Sequence, residues 1–170
     1  MSKYQSVRGT RDLLPAQKKV FRQIESIAYS NAQNYGFGQI ETPIFEFSDV
    51  FHRAMGETSD AVSKETYTFT DRGGDSITLR PEGTAGVVRA YLQNNLGNDE
   101  PVTKVFYQGA MFRAERTQRG RYRQFHQLGA EVFGDPSPAA DADLLATLVH
   151  FLREIGVAAP EVILGSIGGK

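Results

Sequence analysis

The sequence predicts an α+β fold in which helices pack on a mainly antiparallel sheet. The first observation is that strand-like runs follow one another directly at residues 66–80 and 109–134, as they do in hairpins. The second is that apolar residues recur at helical spacing after Pro15 and after Pro138. The third is that strands and helices do not alternate regularly, which argues against a parallel sheet.

The first third of the chain is predicted to form a helix, a strand and a short helix. The helix after Pro15 should end at Gly36, since glycine favours the conformation that closes a helix. The strand that follows is interrupted by Pro43, which cannot donate a ladder hydrogen bond and therefore belongs at an edge or a bend. Ser48 is a suitable N-cap for the short helix that comes next.

The rest of the chain is predicted to hold two hairpins and two helices. In order, we expect a hairpin of 66–70 and 76–80, a helix that follows 80–84 and ends at Gly97, a strand at 102–107, the hairpin at 109–134, a helix that starts at Ser137 and Pro138, and a strand at 162–164. The length of 170 residues fits one domain, and no repeat, low-complexity stretch or linker interrupts it.

The second hairpin carries polar residues on one face. Side chains along a strand point alternately to opposite faces, so every second residue shares a face. We expect Glu115 opposite Phe125 and Gln127 opposite Arg113, a register that also places Glu131 on that face. A guanidinium, two carboxylates, an amide and an aromatic ring on one face indicate a binding site rather than a core.

Arg113 is the most informative of these residues, because a guanidinium binds carboxylate or phosphate oxygens through two parallel hydrogen bonds. On a strand beside an arginine-rich loop it suits a phosphate, or a carboxylate that becomes an acyl phosphate. Phe125 offers a platform on which a flat ring can stack. The alternative is a solvated sheet face on which Arg113 pairs with Glu115 or Glu131.

Four further residues have both a functional and a structural interpretation. Gln127 and Glu131 can together orient a polar or cationic ligand, and the alternative is a surface cross-strand pair. Glu82 and Thr84 add a carboxylate and a hydroxyl where a strand turns into a helix. Their alternative is helix capping, since such side chains satisfy the N–H groups of a helix N-terminus.

Composition excludes several classes of protein. The net charge of −1 excludes a strongly basic nucleic-acid binder, although five arginines within residues 113–123 can neutralise phosphates locally. The chain has no cysteine, so disulfides and thiolate chemistry are excluded. The three histidines lack metal-ligand spacing, and no phosphate loop or nucleophile elbow occurs. Positioning and electrostatic stabilisation of a phosphoryl or acyl-phosphate transition state remain.

The N-terminal sequence also predicts the location of the protein. Met-Ser-Lys-Tyr-Gln has no apolar signal core, and no run approaches the roughly 20 apolar residues of a membrane span. The absence of cysteine fits a reducing compartment. We therefore expect a cytoplasmic protein with no membrane partner.

Three stretches, in order, resemble the histidyl-tRNA synthetase family of class II aminoacyl-tRNA synthetases. They are Val-Arg-Gly-Thr-Arg-Asp-Leu-Leu-Pro at 7–15, Thr-Leu-Arg-Pro-Glu-Gly-Thr at 78–84, and the run from Phe-Arg-Ala-Glu at 112–115 to Arg-Tyr-Arg-Gln-Phe-His-Gln-Leu-Gly-Ala-Glu-Val-Phe-Gly at 121–134. The resemblance covers residues 4–157. The strand around Pro43 is similar to motif 1, which builds the dimer interface, and 112–115 with the following loop is similar to motif 2.

This resemblance implies a role for each candidate residue. Arg113 would bind the ATP α-phosphate and the histidine carboxylate, and it is the implied catalytic residue. Glu115 would read the adenine amino group, Phe125 would stack on adenine, and Arg121 would contact the terminal phosphates. The residues implied to hold the histidine amino group and imidazole are Glu82, Thr84, Gln127 and Glu131. The residues implied to approach the acceptor end of tRNA are Arg116 and Gln118.

The implied substrates and partners follow from the same resemblance. They are histidine, ATP accompanied by Mg²⁺, tRNA(His), and a second copy of the chain that meets the first through the Pro43 region. No metal bound by the protein itself is expected.

Family members extend beyond the length of this chain. They add a second histidine-specific arginine segment, motif 3 with its ATP-binding arginine, and an anticodon-binding domain. Residues 1–170 are therefore expected to be the N-terminal portion of a class II catalytic domain, with motifs 1 and 2 but without motif 3. The parent protein would join histidine to tRNA(His), while the chain alone should show weak or no ATP–pyrophosphate exchange.

Three alternatives to this function stay open on the sequence. One is a non-catalytic relative, similar to the regulatory subunit of ATP phosphoribosyltransferase, although such a protein should lose the ATP-binding residues that this chain keeps. Another is a class II synthetase for glycine, proline or threonine, which Gln127 and Glu131 suit less well than an imidazole. The third is a folded fragment without activity of its own.

Overall fold

The computed structural model of the chain describes residues 4–55, 65–116 and 118–165. The helices are α1 (Pro15–Asn34), α2 (Ser48–Met55), α3 (Thr84–Gln93), α4 (Leu96–Asp99) and α5 (Pro138–Glu154). The strands are β1 (Gly38–Gln39), β2 (Phe45–Phe47), β3 (Tyr67–Thr70), β4 (Ser76–Leu79), β5 (Thr103–Phe112) and β6 (Gln124–Phe133). None of the helices in these ranges is long and apolar enough to cross a membrane.

The strands form two three-stranded sheets. β5 and β6 pair antiparallel over their full length, and β1 joins β5 in parallel. In the second sheet β4 lies between β2 and β3, and both pairings are antiparallel. The hairpin predicted at 66–80 forms as β3 and β4, and α5 starts at Pro138 as predicted. The α+β class predicted from the sequence is confirmed.

The sheet of β1, β5 and β6 is covered on both faces. One face packs on α1 and α5 through a cluster that includes Phe106 and Ala32. The other packs on α3 through Val87, Tyr107 and Met111. Val87 and Met111 are fully buried, and burying apolar side chains of this size contributes about 1.5–3 kcal/mol each. The second face also carries the polar residues of the candidate site.

The predicted elements of the first third of the chain are confirmed. The chain leaves α1 through Gly36, whose φ of 79° lies in the left-handed region that glycine adopts without strain. The strand predicted around Pro43 is broken there, and its halves β1 and β2 belong to different sheets. Ser48 starts α2, and its hydroxyl lies 2.8 Å from the Thr78 hydroxyl, which ties the helix to the second sheet.

Three later predictions are wrong in detail. Helix α3 ends at Gln93 and not at Gly97, because Asn95 adopts a left-handed conformation with φ of 52°. The strand predicted at 102–107 and the first strand of the following hairpin are one continuous strand, β5. The strand predicted at 162–164 does not form within the part of the chain that the structure describes.

The register of the β5–β6 hairpin differs from the predicted register by four residues. Phe125 lies opposite Met111 rather than Glu115, and Gln127 lies opposite Gly109. Because side chains alternate with a period of two, an even shift leaves strand residues on the face predicted for them. The choice of face is therefore correct although the pairing is wrong.

The chain leaves this ladder just after Arg113. The N–H of Arg113 donates to the Arg123 carbonyl at 2.9 Å, but the N–H of Ala114 donates to the carbonyl of Glu65 at 2.8 Å. Every second N–H of a strand points away from its partner strand, so this bond ties the chain to Glu65 without itself ending the ladder. The residues after Arg113 form a loop. Glu115, predicted to lie on a strand, therefore lies in the loop.

Candidate active site

The predicted site residues collect where β5 and β6 open into the arginine loop and where β4 leads into α3. The structure brings eight of them together in two neighbouring groups. The first group is Arg113, Glu115, Arg121 and Phe125, and the second is Glu82, Thr84, Gln127 and Glu131.

Arg113 lies at the mouth of the β5–β6 hairpin. Its Nε–H donates to the Pro81 carbonyl at 3.0 Å, and its Cζ lies 4.9 Å from the centroid of the Phe125 ring. The carbonyl and the ring fix the plane of the guanidinium, and contact with an aromatic face is favourable for a cation. No other hydrogen bond holds this group within the described residues, so its remaining N–H donors suit an anionic ligand.

Glu115 and Arg121 face each other across the loop. Arg121 Nη1 lies 3.2 Å from Glu115 Oε2, and the arginine side chain is 63% exposed. Both residues line an open cavity of about 450 Å³ together with Arg113 and Phe125. An exposed pair of this kind contributes about 0–1 kcal/mol, so it can be exchanged for contacts with a ligand.

Glu82 and Thr84 sit at the start of α3. The Glu82 carboxylate accepts the N–H groups of Thr84 and Ala85, the latter at 3.0 Å, so the capping interpretation holds for this carboxylate. The Thr84 hydroxyl does not cap the helix but donates to Glu131 Oε1 at 2.8 Å. Thr84 therefore joins the helix N-terminus to the polar face of β6.

Gln127 and Glu131 are held through Tyr107, a residue that the sequence did not single out. The Gln127 Nε2 group donates to the Tyr107 hydroxyl at 3.4 Å, and that hydroxyl lies 3.5 Å from the Thr84 hydroxyl. The Oε1 atom of Gln127 is buried without a partner within the described residues. A buried acceptor without a donor is destabilising, and it marks a place where a ligand donor fits.

Burial raises the pKa of Glu131 and of Tyr107 above their usual ranges. For Glu131 the hydrogen bond from Thr84 acts in the opposite direction, and the nearby carboxylate of Glu82 raises the pKa further. The Glu131 carboxylate is thus partly removed from water. A cationic ligand would therefore stabilise its negative charge more strongly than it would at the surface.

Two glycines hold the Tyr107 ring in place. A Cβ atom at Gly83 would lie 2.0 Å from Tyr107 Cε2, and one at Gly129 would lie 2.2 Å from Cζ. The ring is therefore enclosed on both sides by the backbone, and a residue larger than glycine at either position would overlap it. Period-two parity could have identified Tyr107, because it shares the face of Arg113 on β5.

Arg80 is the second residue that the sequence did not single out. Its guanidinium is buried and donates to the carbonyls of Ala110 at 2.9 Å and Thr42 at 2.8 Å. Burial lowers the pKa of this group from its usual value. A Cβ atom at Gly109 would lie 2.3 Å from Arg80 Nη2, so this glycine makes room for the guanidinium. Arg80 fastens the turn that carries Glu82.

The two residues predicted to contact tRNA lie in the arginine loop, next to the first group. Arg116 and Gln118 are exposed, and Gln118 pairs with Arg121 through its backbone. Within the described residues, no group of three or more histidine, aspartate or glutamate side chains could hold a metal ion.

The fold and the site together define a class of protein. A guanidinium beside an aromatic ring suits a ligand that combines an anionic group with a flat ring, and the acceptors around Gln127 suit a cationic or N–H-rich group. A model of the family described as "Histidyl-tRNA synthetase" matches residues 9–168. The chain belongs to this family.

Individual relatives agree with that assignment. The chain is 52% identical over 169 residues to a protein of Rhodospirillum rubrum named histidine–tRNA ligase, covering 99% of this chain and 40% of that protein. A Desulforudis audaxviator protein of the same name is 50% identical over 161 residues, covering 95% and 38%. The chain thus spans about two fifths of the length of these relatives.

Solved structures give the same picture. The apo histidyl-tRNA synthetase of S. aureus superposes with a TM-score of 0.77 at 39% identity, covering 91% of this chain and 35% of that chain. A Bacillus halodurans protein titled ATP phosphoribosyltransferase regulatory subunit/histidyl-tRNA synthetase superposes with a TM-score of 0.79 at 25% identity, covering 93% and 40%.

Replacement of Glu131 by glutamine should change how stability depends on pH. Because burial raises the pKa of Glu131, the folded protein holds this proton more tightly than the unfolded chain does. The contribution of Glu131 to the free energy of unfolding is therefore fully present below the ordinary pKa of glutamate, and it is lost as pH rises through the raised pKa. Urea unfolding of wild type and Glu131→Gln across this window should show the variant gaining relative stability as pH rises. A pH-independent difference would contradict the prediction.

Proposed function

We propose that residues 1–170 are the N-terminal portion of the catalytic domain of a histidine–tRNA ligase. The full-length protein would activate histidine with ATP and transfer it to tRNA(His) in the cytoplasm. Membership of the histidyl-tRNA synthetase family supports this proposal. The single observation that carries it is the Arg113 guanidinium, fixed at Pro81 and placed over Phe125 with donors left for a ligand.

In the proposed first step a histidine carboxylate oxygen attacks the α-phosphorus of ATP. The bond from that phosphorus to the bridging oxygen breaks, and pyrophosphate leaves with histidyl-adenylate remaining. Negative charge grows on the α-phosphate oxygens, and Arg113 stabilises it while holding the carboxylate in reach. In the second step a terminal ribose hydroxyl of tRNA attacks the acyl carbon, and AMP leaves.

The first group of residues is proposed to bind ATP. Phe125 stacks on adenine, and Glu115 accepts a hydrogen bond from the adenine amino group. Arg121 leaves its exposed pair with Glu115 to contact the terminal phosphates, which carry Mg²⁺ as part of the substrate. All three line the same cavity as Arg113, so one nucleotide can reach each of them.

The second group is proposed to bind histidine. Glu82, Thr84, Gln127 and Glu131 offer mainly oxygen acceptors, which suit an ammonium and the N–H of an imidazole. A hydrogen-bonding site of this kind discriminates strongly against side chains that leave its buried groups unpaired, as those of glycine and proline would. We therefore propose histidine, and not glycine, proline or threonine, as the amino-acid substrate.

A regulatory subunit is the weaker proposal. The relative whose title includes that function is 25% identical, whereas relatives named histidine–tRNA ligase reach about 50%. Arg113, Glu115, Arg121 and Phe125 are all present and form one group, as a nucleotide site requires.

A second copy of the chain is the proposed partner at the Pro43 region. β2 is an edge strand, and Phe45 and Phe47 on it are each 57% exposed. Exposed apolar residues in a continuous group favour association.

Sedimentation equilibrium of the full-length protein should give a dimer that Phe45→Glu converts to monomer. Val20→Glu, at an equally exposed position on α1, is the control, and a monomeric unaltered protein would refute the proposal.

Removing the guanidinium of Arg113 should abolish most of the activation step. In the full-length protein, Arg113→Ala is expected to lower kcat for histidine-dependent ATP–pyrophosphate exchange by about 10²–10³-fold, as loss of a transition-state donor does. Arg72→Ala, in the exposed turn of the β3–β4 hairpin, is the matched control and should leave exchange unchanged. No exchange by the unaltered protein, or an active Arg113→Ala variant, would overturn the proposal.

Arg116 and Gln118 in the arginine loop should act on tRNA and not on activation. Arg116→Ala and Gln118→Ala in the full-length protein are expected to raise KM for tRNA(His) in aminoacylation, since each removes a contact to the acceptor end. ATP–pyrophosphate exchange, measured without tRNA, should stay unchanged in both variants. A parallel loss in the two assays would show that these two residues serve the ATP site instead.

A further inference from the structure

Four polar side chains form a hydrogen-bonded relay across the candidate site. Gln127 Nε2 lies 3.4 Å from the Tyr107 hydroxyl, which lies 3.5 Å from the Thr84 hydroxyl, which lies 2.8 Å from Glu131 Oε1. The longer contacts are at the outer limit for hydrogen bonds, and such contacts often tighten when a substrate binds. The relay runs from an amide on β6, through β5 and α3, and back to a carboxylate on β6.

The relay has one direction when Glu131 is ionised. A carboxylate can only accept, so the single hydroxyl hydrogen of Thr84 goes to Glu131. The Tyr107 hydrogen then goes to the Glu131 carboxylate, with which it also interacts, or to the Thr84 oxygen beside that carboxylate. The negative charge of Glu131 attracts this hydrogen more strongly than the neutral oxygen of the Gln127 amide does. In both cases the phenol oxygen is left as an acceptor, and in the described parts of the chain the group placed to satisfy it is the NH₂ of Gln127.

The orientation of the Gln127 amide follows from this direction. With its NH₂ group on Tyr107, its Oε1 atom is turned away from the relay, where it is buried without a partner in the described residues. Rotation of the amide by 180° would place two acceptors against each other. The carboxylate of Glu131 thus determines, through two hydroxyl groups, that Gln127 presents an acceptor to a ligand.

Tyr107 is suited to this role because its hydroxyl cannot move far. The ring is 5% exposed and lies between Gly83 and Gly129, where even a Cβ atom would overlap it. A fixed hydroxyl fixes the groups bonded to it, which is how surrounding residues give a binding site its accuracy.

We propose that Tyr107 is a positioning residue that turns the Gln127 carbonyl oxygen toward an N–H donor of the bound amino acid. It acts through Gln127 and does not itself contact the substrate. This inference rests on the proposed function, and it adds a specificity-determining residue to the histidine site.

The test is Tyr107→Phe in the full-length protein, assayed by histidine-dependent ATP–pyrophosphate exchange. Loss of the phenol oxygen frees the amide to rotate, so KM for histidine should rise about five- to tenfold. KM for ATP and kcat should change by less than about twofold, because the relay does not reach Arg113. Tyr91→Phe, which removes a hydroxyl from a tyrosine stacked on Phe133, is the matched control and should alter none of these values.

A double-mutant cycle separates positioning from a general structural effect. In a Gln127→Ala background, Tyr107→Phe should raise KM for histidine by less than about twofold further, since the group that it orients is gone. Additive effects, an unchanged KM for histidine, or equal changes in both KM values would overturn the inference while leaving the proposed function intact. No exchange by the unaltered protein would overturn both.

Discussion

The antiparallel pairing of β5 with β6 is the interaction on which the rest of the structure depends. Ten residues of each strand pair without a break. Because side chains alternate along a strand, Phe106 faces the helices α1 and α5, and Met111 faces the side that holds the site. A one-residue slip would exchange the two faces completely. The apolar clusters on both sides therefore exclude a shift by an odd number of residues, and this keeps Gln127 and Glu131 on the face of the site.

The second sheet is useful to the site only because it is attached to this hairpin. Arg80 makes the attachment: its backbone N–H donates to Ile44, its carbonyl accepts from Phe112, and its guanidinium reaches Ala110. A buried guanidinium needs such partners, since charge without them is costly to remove from water. The result is that Glu82, two residues further on, arrives at β6 on a rigid support.

Much of this arrangement is predictable from the sequence, and the part that is not has physical causes. The α+β class and the shared face of Phe125 and Gln127 follow from periodicity, which depends on the local chain alone. The pairing of β5 with β6 does not, because the alternation that marks the first strand in the sequence continues to Glu115, although β5 ends at Phe112. Parity places Tyr107 on the face of the site, but its contact with Gln127 is known only once the opposite strand is placed.

Glu115 and Arg121 pair with each other in the cavity, so each competes with a ligand for the other's charge. A ligand that enters must separate these two charges, so the free energy of breaking the pair is subtracted from that of binding. A simple polyanion satisfies the arginine but leaves the carboxylate facing negative charge. A molecule that carries an anionic end and an N–H donor at the right separation satisfies both, and the loop thereby selects for bifunctional ligands.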